Sequence, residues 1–270
     1  MLTSQPFWLI FLIAPYAALG VGAPPPNTLT PDEKLAGWTL LFDGRTMNGW
    51  DDPRAKTPPG DAWTIEDGCL KANGHPRIVE DLFTKMSYTD FELAFDWRIS
   101  LHGNSGVKYR IQEHLFVVPP GTGESFEQSV ERSFLNRVSG RPARGQDYVI
   151  GFEYQILDSP PQIDRRQTSG ALYDMVAPSI QTARPVGEFN HSQIVVRGNH
   201  VEHWLNGVKV VDTTLDAPLA LRGIETRWGV APHVNGMLAK QPRTSCPISL
   251  QNHGDAAWFR NLKIRPLRSQ

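Results

Sequence analysis

Three short segments place proton-transferring and charged side chains where β-strands would otherwise be apolar. In Asn104-Ser105-Gly106-Val107-Lys108-Tyr109-Arg110-Ile111-Gln112, turning Val107, Tyr109 and Ile111 toward a core aligns Lys108, Arg110 and Gln112 on the other sheet face. Gly151-Phe152-Glu153-Tyr154-Gln155-Ile156-Leu157-Asp158 presents Glu153 and Gln155 by the same alternation, opposite Phe152, Tyr154 and Ile156. Gln251-Asn252-His253-Gly254 sets an imidazole at the end of a strand. A carboxylate and an imidazole can move protons, while Lys and Arg offer fixed positive charge. Alternation alone would also put these side chains on a solvated outer face. The elements around them have to decide.

Those elements are strands. Phe189–Thr213 contains two two-residue turn signals, Gly198-Asn199 and Asn206-Gly207, between Val- and Ile-rich runs. Val201, His203 and Leu205 alternate with Glu202, Trp204 and Asn206, so three antiparallel strands follow one another as a meander. Asp90–Ser100 alternates most cleanly, with Phe91, Leu93, Phe95, Trp97 and Ile99 on one face. Further strand signals lie at 38–42, 63–66, 69–72, 248–251 and 257–265, and Thr30-Pro31-Asp32-Glu33 reads as a helix start. The expected fold is all-β, a two-sheet antiparallel jelly-roll sandwich. His191 and His203 read as structural, and Trp38, Trp63, Trp97 and Trp204 as packing residues.

Two long segments interrupt this pattern. Residues 113–148 carry Pro119-Pro120-Gly121 and a helical stretch at Ser125–Arg137, and residues 214–247 are rich in Pro, Gly and Arg. Loops of this length in a compact domain tend to be functional, and both are expected to wall a cleft.

Composition narrows the class. The 270 residues are 40% hydrophobic, with 23 Gly and 22 Pro, which suits one turn-rich domain with a real core. A formal net charge of −1 lacks the basic field that nucleic-acid binding needs. Residues 7–19 form an apolar run of secretory length, followed by small residues Val21-Gly22-Ala23 and a Pro24-Pro25-Pro26 tether. The expected organisation is a signal peptide over 1–23, a tether over 24–36 and one jelly-roll domain over 37–267. The mature protein is then secreted or periplasmic, with no stable membrane insertion. Cys69 and Cys246 either pair in that oxidising compartment or stay as two buried thiols.

At this point the chain resembles the 3-keto-disaccharide hydrolase domain family. The matching pieces are Gly37-Trp38-Thr39-Leu40-Leu41-Phe42-Asp43-Gly44 with Gly49-Trp50, Asn104-Ser105-Gly106 with Arg110, and Phe152 to Asp158. They continue with Ser169-Gly170-Ala171-Leu172-Tyr173, Gly187-Glu188-Phe189-Asn190, Leu205-Asn206-Gly207, Leu250-Gln251-Asn252-His253-Gly254 and Phe259-Arg260-Asn261. The family usually carries Trp at Phe189 and Asp at Asn252; the latter difference removes a carboxylate beside His253.

The resemblance implies a concanavalin-A-like jelly-roll acting on oxidised glycosides. A ketone at C3 acidifies the C2 hydrogen; a base removes it, the enolate expels the C1 oxygen substituent, and water adds to the unsaturated sugar. That route needs a base near C2, positive charge at the enolate oxygen and an acid near the leaving oxygen. Glu153 or His253 is the expected base, with Lys108 and Arg110 at the enolate. Asn104, Gln155, Asp158, Tyr173 and Gln251 are expected substrate contacts, although Tyr173 also suits a buried hydroxyl. No cofactor is named by the sequence. A divalent metal could replace the cationic charge, with Glu153, Asp158 and His253 as candidate ligands.

Two rivals make different demands. A conventional glucanase-like glycosidase needs two carboxylates across the scissile bond, and the compact Glu-x-Asp-x-x-Glu strand expected of such relatives is missing here. A non-catalytic carbohydrate-binding module would use exposed Trp204 or Tyr173 without requiring Glu153 and His253.

Overall fold

Asn206 and Gly207 both take positive φ, 50° and 82°, so the Asn-Gly pair forms the turn that its chemistry favours. The computed structural model describes residues 24–51, 60–141 and 145–267. The expected signal peptide, 1–23 with its cleavage point, lies outside the described residues. In chain order, helix α1 (Pro31–Leu35) precedes β1 (Thr39–Leu40), β2 (Trp50–Asp51), β3 (Trp63–Glu66), β4 (Cys69–Ala72) and β5 (Leu82–Thr84). Strands β6 (Phe91–Ile99) and β7 (Asn104–Val117) lead through helix α2 (Phe126–Val138) to β8 (Gln146–Leu157). The meander comprises β9 (Asn190–Arg197), β10 (His200–Leu205) and β11 (Val208–Thr214). Helices α3 (Pro218–Trp228) and α4 (Pro232–Lys240) follow, then β12 (Ser249–Leu250) and β13 (Ala257–Pro266).

The strands form two antiparallel sheets, as a jelly-roll requires. One runs β11-β10-β9-β6-β13-β4-β3 with β1 also on β13; the other runs β2-β5-β12-β7-β8. Their facing sides bury Phe91, Phe95, Trp97, Tyr109, Phe152, Tyr154 and Phe259 in one core. Polar groups within it are paired. Ser192 Oγ meets both Trp97 Nε1 and Tyr154 Oη at 2.8 Å. The His203 ring contacts Gly170 O through Nδ1 at 3.0 Å and Tyr109 Oη through Nε2 at 2.9 Å. Burial pushes its pKa down to about 4, so the neutral ring donates at Nδ1 and accepts at Nε2. His203 is structural. Cys69 and Cys246 are separate buried thiols.

The sheet containing β7 and β8 carries the rest of the argument on its other face. Helix α2 begins one residue after the expected Ser125, which caps it with Gln128 in a reciprocal capping box. Residues 214–247, expected as loop, instead hold α3 and α4, each started by a proline at its first turn. Helix α3 lies very close to the segment after β8, because a Cβ on Gly223 would sit 2.5 Å from Met175 Cα. Among the described residues, no helix is long and apolar enough to cross a membrane.

Candidate active site

β7 and β8 pair so that Lys108 faces Glu153 and Gly106 faces Gln155. Their inward neighbours Val107, Tyr109, Phe152 and Tyr154 fill the core, so alternation sends Lys108, Glu153 and Gln155 to the opposite face. That face is the floor of a cavity of about 510 Å³. Phe126 and Glu127 at the start of α2 and Arg227 at the end of α3 wall it, as expected of the two long segments. Lys108, Glu153, His253, Asn104, Gln155, Tyr173 and Gln251 all line this one cavity.

Two expected members lie elsewhere. Between the Tyr109/Phe152 and Glu113/Ile150 pairs, four steps along β7 face two along β8, leaving two extra residues in a bulge. Arg110 occupies it at φ 50°, which breaks the Lys108, Arg110, Gln112 row. Its guanidinium is buried away from the cavity, donating to Gly198 O at 2.6 Å and facing Asp90 Oδ1 at 3.5 Å. Asp158 opens on a separate cavity of about 340 Å³ and accepts from His102 N at 2.8 Å. The expected ligand trio Glu153, Asp158 and His253 therefore does not share one cavity. Among the described residues, His200, Glu202 and Asp212 form the sole group of three such ligands, on the meander, and Lys209 already pairs with both carboxylates.

Lys108 is the electrostatic centre. It is 4% exposed, and its ammonium meets Asp81 Oδ2 at 3.3 Å. Asp81 also accepts from Ser249 Oγ at 3.0 Å and Asn252 N at 3.2 Å. Burial opposes the charge on Lys108, but Asp81 and Glu153 outweigh it and raise its pKa. Gln251 links the ammonium to Glu153. With its amide nitrogen toward the carboxylate, it donates to Glu153 Oε1 at 3.3 Å and accepts from Lys108 Nζ at 3.2 Å.

Glu153 is half-buried, and burial lifts its pKa to about 7 against the pull of Lys108 and Arg227. His253 keeps an exposed edge; desolvation holds its pKa below the usual histidine value against the opposing effect of Asp255. Tyr173 stays a neutral donor, its pKa pushed up to about 12 by burial. The cavity thus holds a carboxyl poised near neutrality, a neutral imidazole and a permanent ammonium. That set can remove, store and return protons beside a developing anion.

Residues outside the sequence expectation complete it. Arg227 lies 4.7 Å above the Tyr173 ring, pairs with Asp174 at 3.2 Å and reaches Tyr148 Oη at 3.3 Å. Asn252 is a structural pin. Its amide donates to Ala62 O at 2.8 Å, and its oxygen accepts from Gly254 N at 2.7 Å, fixing the turn that carries His253.

The 3-keto-alpha-glucoside-1,2-lyase-like domain family matches residues 37–265. A curated 3-keto-disaccharide hydrolase of Bacteroides thetaiotaomicron is 30% identical over 254 residues, covering 86% of this chain and 79% of that protein. The crystal structure of a candidate glycosyl hydrolase from Parabacteroides distasonis superposes with a TM-score of 0.66 at 25% identity, covering 90% of this chain and 100% of that one. A second structure from the same organism, at 22% identity and TM-score 0.54, shares the fold over 85% of this chain and 99% of its own. With the match spanning both sheets and every wall of the cavity, the chain belongs to the 3-keto-alpha-glucoside-1,2-lyase-like family.

Proposed function

We propose that this cavity cleaves 3-keto-glycosides by C2 deprotonation, elimination of the C1 substituent and hydration. One observation carries the reading: Glu153, with a pKa near 7, shares the Gln251 amide with the buried Lys108 ammonium. A base works best when its pKa matches the working pH. Gln251 occupies Oε1 and leaves Oε2 to take the C2 proton. Lys108 and Arg227 supply the positive charge for the enolate oxygen, Arg227 in the part first expected of Arg110. Glu153 hands the C2 proton on to the departing C1 oxygen. Water then adds at C1, and the neutral His253 takes its proton and returns it to C2, so both residues end in their starting states.

The ketone is indispensable to this route, since an unoxidised sugar has no acidic C2 hydrogen. The purified protein should cleave a 3-keto-disaccharide and leave its parent disaccharide intact, and Glu153→Gln should abolish turnover while retaining binding. Equal cleavage of both sugars would overturn the mechanism. Binding of both without cleavage of either would favour the carbohydrate-binding module. We also propose export with removal of residues 1–23, on the apolar run and small-residue site in the sequence; an intact Met1 on a soluble cytoplasmic product in the native host would refute it.

A further inference from the structure

Gln155 sits two residues beyond Glu153 on the same face of β8, about 7 Å along the cavity floor. It is 2% exposed, and its backbone is held on both sides by the Gly170-Ala171 segment, with N to Ala171 O at 3.2 Å and O from Gly170 N at 2.9 Å. Its amide nitrogen donates to Asn104 Oδ1 at 3.3 Å, which sets the direction of the amide group. The opposite atom, Oε1, has no partner among the described residues. A buried carbonyl without a donor is destabilising, because it has given up water without a replacement. Among the buried side-chain atoms without partners in the described residues, this is an acceptor two residues from the proposed base, on the floor of the same cavity.

We propose that Gln155 Oε1 is the hydroxyl reader of the site, accepting a hydrogen bond from one ring hydroxyl of the sugar whose C2 lies over Glu153, with Asn104 as its positioning residue. The proposal rests on the keto-glycoside reading for the identity of the ligand. Its chemistry demands a neutral O–H donor: a carboxylate or phosphate at that point would meet a carbonyl oxygen and be refused. A site built around a hydroxyl also rejects the analogue that lacks it, because the protein acceptor is then left unpaired. Gln155 therefore selects which sugar enters, while Glu153 acts on whatever does.

The test is a binding cycle in the Glu153→Gln background, titrating methyl 3-keto-α-glucopyranoside and its 2-, 4- and 6-deoxy analogues by calorimetry. One analogue should bind roughly 10- to 100-fold more weakly than the parent, the equivalent of one unpaired acceptor. Adding Gln155→Leu should weaken the parent by a similar factor and erase the difference between parent and that analogue. Asn104→Ala, which leaves Oε1 in place but frees the amide, should shrink the difference without erasing it. The analogue series with intact Gln155 is informative even if Gln155→Leu fails to fold. All three analogues within about 3-fold of the parent, or full discrimination retained in Gln155→Leu, would overturn the assignment. If neither wild type nor Glu153→Gln binds the keto-glycoside, the functional reading falls as well, which separates the two failures.

Discussion

A Cβ on Gly106 would lie 2.3 Å from Glu153 Oε1 and 2.8 Å from its Cδ. The carboxylate therefore occupies space that only glycine leaves open on the neighbouring strand. The atoms in conflict are the far end of a flexible side chain, so Gly106→Ala should leave the sheets intact and displace the carboxyl from Gln251. A displacement of about 1 Å at a reacting group can cost 100-fold. We expect turnover to fall by at least about 100-fold, with melting temperature and circular dichroism nearly unchanged. Wild-type turnover in Gly106→Ala would remove Glu153 from the chemistry.

Stability should depend on pH through the same carboxyl. Folded Glu153 titrates at about 7, well above an unfolded glutamate near 4.3. Between those values the folded state holds the extra proton, so its stability falls as pH rises through the window. The contribution is about 4 kcal/mol when complete. Glu153→Gln mimics the neutral acid and should outlast wild type by up to about that amount at pH 8, and match it near pH 4. Denaturant melts at both pH values check this. A constant difference between the variants would show that Glu153 does not titrate as described. Wild-type kcat/KM on a keto-glycoside should rise through pH 7 as the base ionises; a fall there would make Glu153 the acid.

Much of this arrangement was legible in the sequence because strand parity is a strict rule. Lys108 and Glu153 sit opposite inward residues that core packing fixes, and seven of nine expected residues line one cavity. Arg110 obeyed the same alternation on paper but fell in the bulge, which no local propensity announced. Asp158 follows the end of β8, where alternation no longer applies. Arg227 was hidden for a different reason. The proline- and glycine-rich stretch reads as loop, although Ala220, Ile224 and Trp228, all buried, recur every fourth residue after Pro218. That period was the available signal for a helix whose last turn would deliver Arg227. Asp81 lies in a short stretch ahead of β5 with no pattern of its own.

The two arginines make opposite predictions. Arg110 is 3% exposed and holds Gly198 O and Asp90, away from the cavity. Arg110→Met removes the donor to Gly198 O and the guanidinium facing the half-buried Asp90, whose carboxylate keeps Gly198 N at 2.9 Å, a loss of about 1–3 kcal/mol. It should lower the melting temperature and leave kcat and KM of the folded fraction unchanged. Arg227 instead lines the cavity, lying over Tyr173 and beside Glu153's field. Losing one group that stabilises transition-state charge costs about 100- to 1000-fold in kcat, and Arg227→Met should fall in that range. Arg227→Lys should recover only part of it, because a point charge cannot lie flat on Tyr173 while reaching both Asp174 and Tyr148. Steady-state kinetics beside thermal melts of the three variants decide the matter. If Arg110→Met lost turnover and Arg227→Met kept it, the positive charge at the enolate would have to come from the bulge after all.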